Sequence, residues 1–406
     1  MGSFSPSCHC LTEISSNSDV AVDTSHPSLP RLQASIRGYL YRKRFHEIMT
    51  TQKTKVNLTT NQYIEKPKEV GLSYSTDVQE SHVTIKRLNK LVPQFKLNEK
   101  EQFLLNVESL KSCGLLYPDN SIYKGTINNN SVRDGFGKLY LNDGSIYIGF
   151  FKDDKAEGRG RLLNVRGFIY EGDFKNSQAH GYGKLISLDG TIYKGAWEYD
   201  KQNGLGEEVY PDGSRYNGEF VDGKKQGKGN YVLPDGNVFE GSFHEDKIHG
   251  EGLLKFKDGR MYIGKWSKDK MEGYGIFRWP DEKQYLGQYK DGIKEGFGVF
   301  LWKNEREFQG FWKGGKQHGY GIMDYNEGER MEYGEYCNGK LIKIINDDES
   351  KSVINKEIQN VKTSKEYIEF VNKLDTYEQE FQNKLQMKDN NNNNNNNNNT
   401  HNNNNN

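Results

Sequence analysis

An aromatic-x-Gly triplet that recurs along the middle of the chain constrains its fold more than any other feature. The triplets follow one another at a spacing of 24 residues once and 23 residues seven times. Their aromatic positions are Tyr123, Tyr147, Tyr170, Tyr193, Tyr216, Phe239, Tyr262, Tyr285 and Phe308. A Gly-x-Gly follows each triplet, as at Gly135 and Gly137. A fixed period of this length predicts a repeat architecture in which small units stack on one another.

Side-chain alternation predicts that each unit is a β-hairpin. In one copy Tyr170, Gly172 and Phe174 point to one face of a strand, and Gly183 and Leu185 do the same in the following Gly-x-Gly segment. Glycine weakens a strand unless another group approaches the backbone closely. We therefore expect the aromatic rings to lie over the glycines and to bury their faces without a second layer of structure.

The connections between the strands are of two kinds. Asp-Gly pairs, as in LNDGS and SLDGT, are a strong hairpin signal, and they are lost at 280–282 and 304–305. The other connection, such as KNSQAHG, is predicted as a polar loop of about six residues. Half a repeat, CGLLYPDNSIYKG, precedes the array, and a degenerate copy ends it with Met331 and Tyr333 in the aromatic and glycine positions.

These motifs resemble those of the MORN-repeat proteins over about Gly114 to Ile345, with nine full units and partial ends. The resemblance implies an all-β core, an elongated antiparallel β-meander or solenoid of MORN hairpins, flanked by short α-helices and disordered termini. Two strands per unit, each about 4.8 Å wide, predict an array about 90 Å long. Members of the family act as scaffolds at membrane junctions, cytoskeletal assemblies or axonemes, or accompany a catalytic domain.

Composition excludes several classes of protein. Lys plus Arg and Asp plus Glu each number 56, so no global field draws the chain to nucleic acid. No run of eighteen apolar residues and no secretory signal is present, and the four cysteines have no disulfide or zinc spacing. We therefore expect a cytoplasmic protein, with a peripheral position at a membrane or the cytoskeleton left open.

No motif for catalysis, a cofactor or a metal stands out. The chain lacks GxxxxGK[ST] and GxGxxG, and the 61 residues after Ile345 would not hold the lipid kinase or SET domain found in some MORN proteins. His180, His249 and His318 lie three units apart, roughly 29 Å, which is too far for one metal ion. We expect no enzymatic activity.

One segment outside the repeats resembles an IQ motif, a calmodulin-binding sequence. Its residues Leu32, Ile36 and Leu40 fall on one face of a predicted helix that carries five basic residues between Arg31 and Arg44. Such a helix suits the apolar groove and acidic surface of a calmodulin lobe. The predicted calmodulin-binding residues are Leu32, Gln33, Ile36, Arg37, Gly38, Arg42 and Phe45. The alternatives are an ordinary basic helix and a polybasic contact with a membrane.

The flanking segments complete the predicted domain organisation. Asn98 and Glu101 form a capping box, and 363–366 form another before the apolar residues Phe370, Leu374, Tyr377, Phe381 and Leu385. We favour a cap folded back on the sheet end over a dimerising helix for the latter. The predicted segments are a disordered tail at 1–30, the IQ helix at 31–46, a linker at 47–97, a capping helix at 98–113, the array at 114–345, a helical segment at 346–388 and a polyasparagine tail at 389–406.

The sequence thus predicts a non-enzymatic scaffold or adaptor that binds calmodulin or a calmodulin-like protein. The alternative is an adaptor that binds phosphoinositides or membranes through the MORN sheet. Residues 114–345 carry about 34 basic and about 35 acidic residues, which gives no obvious basic face, although Lys224, Lys225 and Lys228 cluster locally. Anionic phospholipid, cytoskeletal or membrane-junction proteins and a second copy of the chain stay open as further partners.

Overall fold

A computed structural model describes residues 67–73, 75–76, 82–98, 101–102, 110–325, 328–374 and 376. The described residues fall into two compact units, one within 31–247 and the other from Ile248 onward. In both units the strands pair antiparallel with their neighbours in sequence, so each is a β-meander. The all-β core of hairpins and the short flanking α-helices predicted from the sequence are confirmed.

Among the residues described, the first unit contains thirteen strands, one complete helix and two further helical residues at 101–102. Helix α1 is Val83–Asn89. The strands are β1 Lys68–Val70, β2 Lys111–Leu116, β3 Ile122–Ile127, β4 Arg133–Tyr140, β5 Ile146–Lys152, β6 Lys155–Asn164, β7 Phe168–Lys175, β8 Gln178–Ser187, β9 Ile192–Glu198, β10 Lys201–Val209, β11 Arg215–Val221, β12 Lys224–Val232 and β13 Val238–His244.

The second unit continues the same pattern and ends in two helices. Helix α2 is Asp348–Lys362, and helix α3 covers residues 365–374. The strands are β14 Lys247–Lys255, β15 Met261–Ser267, β16 Lys270–Arg278, β17 Gln284–Lys290, β18 Ile293–Leu301, β19 Glu307–Lys313, β20 Lys316–Asp324, β21 Met331–Cys337 and β22 Lys340–Ile344.

A row of paired glycines crosses the strands of each unit. Gly160 pairs with Gly149 on one side and with Gly172 on the other, and Gly275 lies likewise between Gly264 and Gly287. These are the glycine of each aromatic-x-Gly triplet and the second glycine of each Gly-x-Gly. We call the side of the strands on which the repeat aromatics cover this row the ring face.

The repeat tyrosines fill the space that the glycines leave. A Cβ added at Gly160 would lie 2.4 Å from the hydroxyl oxygen of Tyr147, and one added at Gly149 would lie 2.6 Å from the same atom. The Tyr147 hydroxyl donates a hydrogen bond to the carbonyl of Phe150 at 3.0 Å, and its ring meets Phe151 and Phe174 edge-on. Tyr147 is fully buried by these contacts, which confirms the prediction that the rings pack on the glycines.

The first glycine of each Gly-x-Gly serves a different purpose. Gly158, Gly181 and Gly273 have φ values of +79°, +66° and +68°, in the left-handed region. The register of the strand pairs shifts at these positions, as between Gly149 and Phe151 of β5. The first glycine therefore forms a β-bulge, while the second provides room for a ring.

The two kinds of connection differ from one another as predicted, but the longer one is not a loop. The Asp-Gly turns close with Gly144 donating to the carbonyl of Leu141 at 2.9 Å, and Gly144 has φ +88°. The predicted six-residue polar loops are wrong, because only two residues, such as Asn176 and Ser177, connect the strands. Both have positive φ, as a two-residue hairpin requires, and the bulge absorbs the remaining residues into the strand.

The two-residue turns also join successive repeats. Asp200 donates its backbone N–H to the carbonyl of Ala179 at 3.1 Å and accepts the N–H of Ala179 on its carboxylate at 2.7 Å. Asp269 makes the same pair of bonds with Ile248. These bonds connect the turn between β9 and β10 to the start of β8, and the turn between β15 and β16 to the start of β14.

The last repeat is shifted by one residue from the predicted frame. Gly334 pairs with Gly321, and Glu332 pairs with Met323. Glu332 and Gly334 therefore take the aromatic and glycine positions, not Met331 and Tyr333. Tyr336 then contacts the ring of Phe308 at 5.0 Å, so the repeat places a ring there despite its irregular sequence.

Two flanking segments differ from the predicted boundaries. The described part of the predicted linker at 47–97 contains β1, which pairs with β2, and helix α1. The predicted capping helix at 98–113 has its capping box, since Asn98 and Glu101 each accept the other's backbone N–H at 2.8 Å. Its end at 113 is wrong, because residues from Lys111 onward belong to β2, where the strand partner supplies their hydrogen bonds.

We predict that alanine is tolerated much less at a glycine under a ring than at a turn glycine. A Cβ at Gly206 would lie 2.5 Å from Tyr193, whereas one at Gly213 meets nothing within 4 Å, although its φ is +85°. Gly206→Ala should lower the free energy of unfolding by about 3 kcal/mol through overpacking. Gly213→Ala should cost only about 1 kcal/mol of backbone strain. Urea denaturation of both variants measures the difference, and equal losses would contradict this account of the glycine row.

We also predict that stability falls in alkali. Burial raises the pKa of Tyr193 and of Tyr262 above the usual value of 10.0. The unfolded chain therefore ionises first, so the stabilisation is complete below pH 10 and decreases as the pH rises above it. The unfolding free energy should fall by up to about 1.4 kcal/mol per pH unit for each buried tyrosine. Tyr193→Phe should reduce this slope, as measured by urea denaturation at a series of pH values above 10, and an unchanged slope would contradict the burial argument.

Candidate functional site

The face of the strands opposite the rings is where the chain's own helices pack, and we call it the helix face. Because side chains alternate along a strand, the residue between the two glycines of each Gly-x-Gly points to this face. The residues at this position are Phe136, Arg159, Tyr182, Leu205, Lys228, Glu251, Tyr274, Phe297 and Tyr320.

Helix α1 covers the start of the helix face in the first unit. Ile85 and Leu88, three residues apart on one side of α1, are both fully buried. The sheet residues of this cluster are Ile122, Tyr140, Ile146, Leu163 and Ile169. This helix of about two turns thus packs on the sheet through two fully buried apolar residues.

Residues that follow α1 extend this cover by one repeat. Phe95 stacks on Phe136, with ring centroids 6.4 Å apart and planes at 5°. The guanidinium of Arg159 lies 5.0 Å from the centre of Phe95 and forms an ion pair with Glu101 at 3.1 Å. Arg161 donates to the carbonyl of Pro93 at 2.6 Å. The cover formed by the described residues 82–98 and Glu101 thus contacts the position between the glycines in two successive repeats.

Helix α2 covers the last repeats of the second unit. Asp347 caps its N-terminus by accepting the N–H of Ser350 at 2.8 Å. Ile354 and Ile358, four residues apart, are 2% exposed and pack in one cluster with Phe297, which lies between two repeat glycines. The other buried sheet and loop residues of this cluster are Ile322 and Ile345.

Helix α3 also packs on residues of the helix face that lie between two repeat glycines. Phe370 stacks on Tyr274 at 6.0 Å, and Tyr367 meets the rings of Tyr274 at 5.5 Å and Phe297 at 6.2 Å. Lys373 reaches Glu251, one repeat earlier, at 2.6 Å. Burial raises the pKa of Tyr274 and of Tyr367. Helix α3 therefore contacts the residues between the glycines in three successive repeats.

The structure corrects two predictions about this C-terminal segment. The cap expected at the sheet end lies instead on the sheet's face, because Phe370 and Leu374 find their apolar partners there. Thr363 is not the N-cap of the second helix, since it closes α2 and donates to the carbonyl of Gln359 at 2.8 Å. Ser364 takes the N-terminal position and accepts the N–H of Tyr367 at 3.3 Å.

Two apolar residues at the same repeat position are open to solvent in the first unit. Tyr182 is 65% exposed and Leu205 is 70% exposed. Tyr182 of β8 pairs with Ala196 of β9. Strand β10, which carries Leu205, pairs with the other edge of β9. We call Tyr182, Ala196 and Leu205 the open patch. It begins one repeat beyond Arg159, where the cover made by residues 82–98 and Glu101 ends.

The lysines that cluster in sequence do not form a basic patch. Lys225 is 2% exposed and lies on the ring face, 4.6 Å from the centres of the Tyr216 and Tyr231 rings. Lys224 pairs with Glu245 of the next turn at 3.1 Å. Lys228 is the one of the three that points from the helix face into solvent. The bulge in β12 separates it from Lys224 and Lys225.

The predicted calmodulin-binding residues lie outside the described part of the chain. They are Leu32, Gln33, Ile36, Arg37, Gly38, Arg42 and Phe45. Within the described residues no group of three or more His, Cys, Asp or Glu side chains is placed to hold a metal ion. No helix in that part of the chain has the length and apolar character needed to cross a membrane.

Sequence reasoning missed the helix face, although its signal is present. The glycines of each Gly-x-Gly account for the ring face, and the residue between them carries the information on the opposite face. The residue at this position is apolar in several repeats, which marks a second packing stripe at the repeat period: Phe136, Tyr182, Leu205, Tyr274 and Phe297. The covering segments could not be assigned to it, because repeat spacing alone does not say which distant segment packs there.

Comparison with known proteins agrees with this architecture. The MORN repeat profile matches nine stretches, so the chain contains nine MORN repeats. The matched residues are 129–146, 147–165, 170–192, 193–215, 216–238, 239–259, 262–283, 285–305 and 308–330. No curated protein matches the chain.

Solved structures of low identity also match. The wild-type TCP10 domain of Danio rerio CPAP is 11% identical, with a TM-score of 0.30, and the match covers 58% of this chain and 99% of that one. The TCP domain of Drosophila melanogaster SAS-4, solved in complex with a proline-rich motif, is 13% identical, with a TM-score of 0.26, and the match covers 50% of this chain and 99% of that one.

We predict that the docking of α3 depends on its sheet-facing side. Phe370 is 6% exposed and its neighbour Val371 is 36% exposed on the same helix. Phe370→Ala should lower the free energy of unfolding by about 3 kcal/mol and speed amide exchange of residues 365–374. Val371→Ala should change it by less than about 1 kcal/mol. Similar effects of the two substitutions would mean that α3 is not held by the helix face.

Proposed function

We propose that the protein is a non-enzymatic scaffold whose MORN repeats present a helix-docking face and whose N-terminal segment recruits calmodulin or a calmodulin-like protein. The observation that supports the scaffold is the recurrent packing of the chain's own segments on one repeat position. Phe95, Tyr367 and Phe370 each contact a residue that lies between two repeat glycines. A surface that takes several different segments by one position suits the assembly of partners.

The calmodulin partner is supported by the complete IQ-type pattern in the sequence. Gln33 would hydrogen-bond the backbone of a calmodulin lobe, and the small Gly38 would let the lobe approach. Leu32, Ile36 and Phe45 would fill its apolar groove. Arg37 and Arg42 would meet the acidic rim of the lobe.

The alternative is an adaptor that binds phosphoinositides through the sheet. Charge weighs against it, because the turn lysines are neutralised by carboxylates of the next turn. Lys201 pairs with Asp222 at 2.8 Å, and Lys270 pairs with Asp291 at 2.7 Å. Binding to anionic lipid usually requires four to eight clustered Lys or Arg side chains. The proposal accordingly places the protein in the cytoplasm, with membranes or the cytoskeleton reached through its partners.

We predict that a peptide spanning 30–47 binds calmodulin, and that binding is stronger without calcium. Ile36→Glu should weaken binding by roughly 2 kcal/mol or more, because it removes an apolar anchor from a buried pocket. Arg42→Ala should cost less, since a rim charge stays solvated. Titration calorimetry with calcium and with chelator measures both, on the peptide and on the full chain. If the peptide binds neither with calcium nor with chelator, the calmodulin assignment is refuted.

We predict weak binding of the full chain to anionic vesicles at physiological salt. Sedimentation with vesicles of phosphatidylcholine containing a few per cent of phosphatidylinositol bisphosphate tests this. Lys228→Glu should change the bound fraction little, as should Lys224→Glu. Tight, salt-sensitive sedimentation that either substitution abolishes would favour the lipid adaptor instead.

A further inference from the structure

The open patch on the helix face of the first unit lacks the cover that the two preceding repeats have. Phe136 and Arg159, at the same repeat position, are covered by Phe95. Tyr182 and Leu205 follow them in the next two repeats and are 65% and 70% exposed. Two large apolar side chains that are open at a position otherwise used for packing mark a docking surface.

We propose that the open patch docks residues 31–45 of the same chain, and that calmodulin and the sheet compete for this segment. The inference rests on the proposed calmodulin site, since it assigns that same segment a second partner. The predicted helix presents Leu32, Ile36 and Leu40 on one side. These three residues span about 12 Å along a helix, close to the distance of about 10 Å between β8 and β10.

Continuity with the existing cover supports this occupant. The described residues 82–98 and Glu101 already lie on the helix face and reach Arg159, one repeat before Tyr182. The packing of α3 on Tyr274 shows how an aromatic residue between two glycines receives an apolar helix residue. A further segment of the chain placed beside this cover would extend an established packing arrangement.

The length of the intervening chain permits the contact. Residues 46–66 join the proposed helix to Pro67, next to β1, and can span up to roughly 70 Å when extended. Strands β8 to β10 lie about 34–43 Å from β1 across the sheet. The segment can therefore reach the open patch without disturbing β1.

Charge near the open patch is mixed, and the carboxylate of Glu207 is paired with Arg215 at 3.8 Å. Leu205 pairs with Glu219, and Glu207 follows it two residues later on the same side of β10. The carboxylate of Asp173 accepts the backbone N–H of Tyr182 at 3.3 Å. Lys184 and Lys194 lie on the same strands, so the apolar contact rather than charge fixes the position of the helix.

Hydrogen exchange on the full chain tests the docking without relying on calmodulin. Amides of residues 31–45 should be protected in the unmodified protein, and Tyr182→Glu with Leu205→Glu should speed their exchange at least tenfold. Both substituted side chains are exposed, so the fold should persist. Val83→Glu, at a residue of α1 that is 71% exposed, is the matched control and should leave the exchange unchanged.

Two exchange results would overturn the docking. One is equal exchange of residues 31–45 in the unmodified and doubly substituted proteins. The other is protection that rises with protein concentration, which would assign the patch to a second copy of the chain.

Calmodulin titration then tests the competition. The full chain should bind calmodulin at least fivefold more weakly than the 30–47 peptide, and the double substitution should remove this difference. Equal affinities of the full chain and the peptide would overturn the competition. Failure of the peptide to bind would instead refute the proposed calmodulin site, while the exchange experiment would still decide whether the segment docks on the sheet.

Discussion

The contact of a tyrosine ring with two paired glycines is the interaction on which the rest of the structure depends. Tyr147 covers Gly149 of its own strand and Gly160 of the next, and its hydroxyl donates to the carbonyl of Phe150. A side chain at either glycine would collide with the ring. The row of glycines therefore sets the register of the strands, and the rings bury one another without a second sheet.

With one face completed in this way, the opposite face is free to bind other segments. The ring face fixes the period, and the residue between the two glycines of each repeat presents a side chain to the other side. Where that residue is aromatic and a helix is available, as at Tyr274, the two pack together. Alternate residues of the same strands thus form the ring packing on one face and the helix packing on the other.

The sequence predicted the hairpins, the ring packing and the Asp-Gly turns because each follows from strictly local spacing. Two turns form although the sequence lacks the Asp-Gly pair there. Glu282 and Glu305 adopt φ values of 69° and 63° and complete turns that lack glycine. The two-residue turns were missed because the bulge at the first glycine of each Gly-x-Gly hides the true strand length. The covering segments 82–98 with Glu101 and 348–374 depend on contacts across many residues, which no local pattern encodes.

Because side chains alternate between the two faces of each strand, the repeats place one variable position on the helix face at a fixed interval along the chain. Each repeat places one residue between its two glycines, and this residue takes no part in the glycine row: Tyr182, Leu205 and Lys228 are examples. Replacement of that single residue alters what a repeat can hold without altering how it stacks. Unequal duplication or loss of whole repeats would therefore move docking positions along the sheet in fixed steps, and new binding partners could be gained without the invention of a new fold.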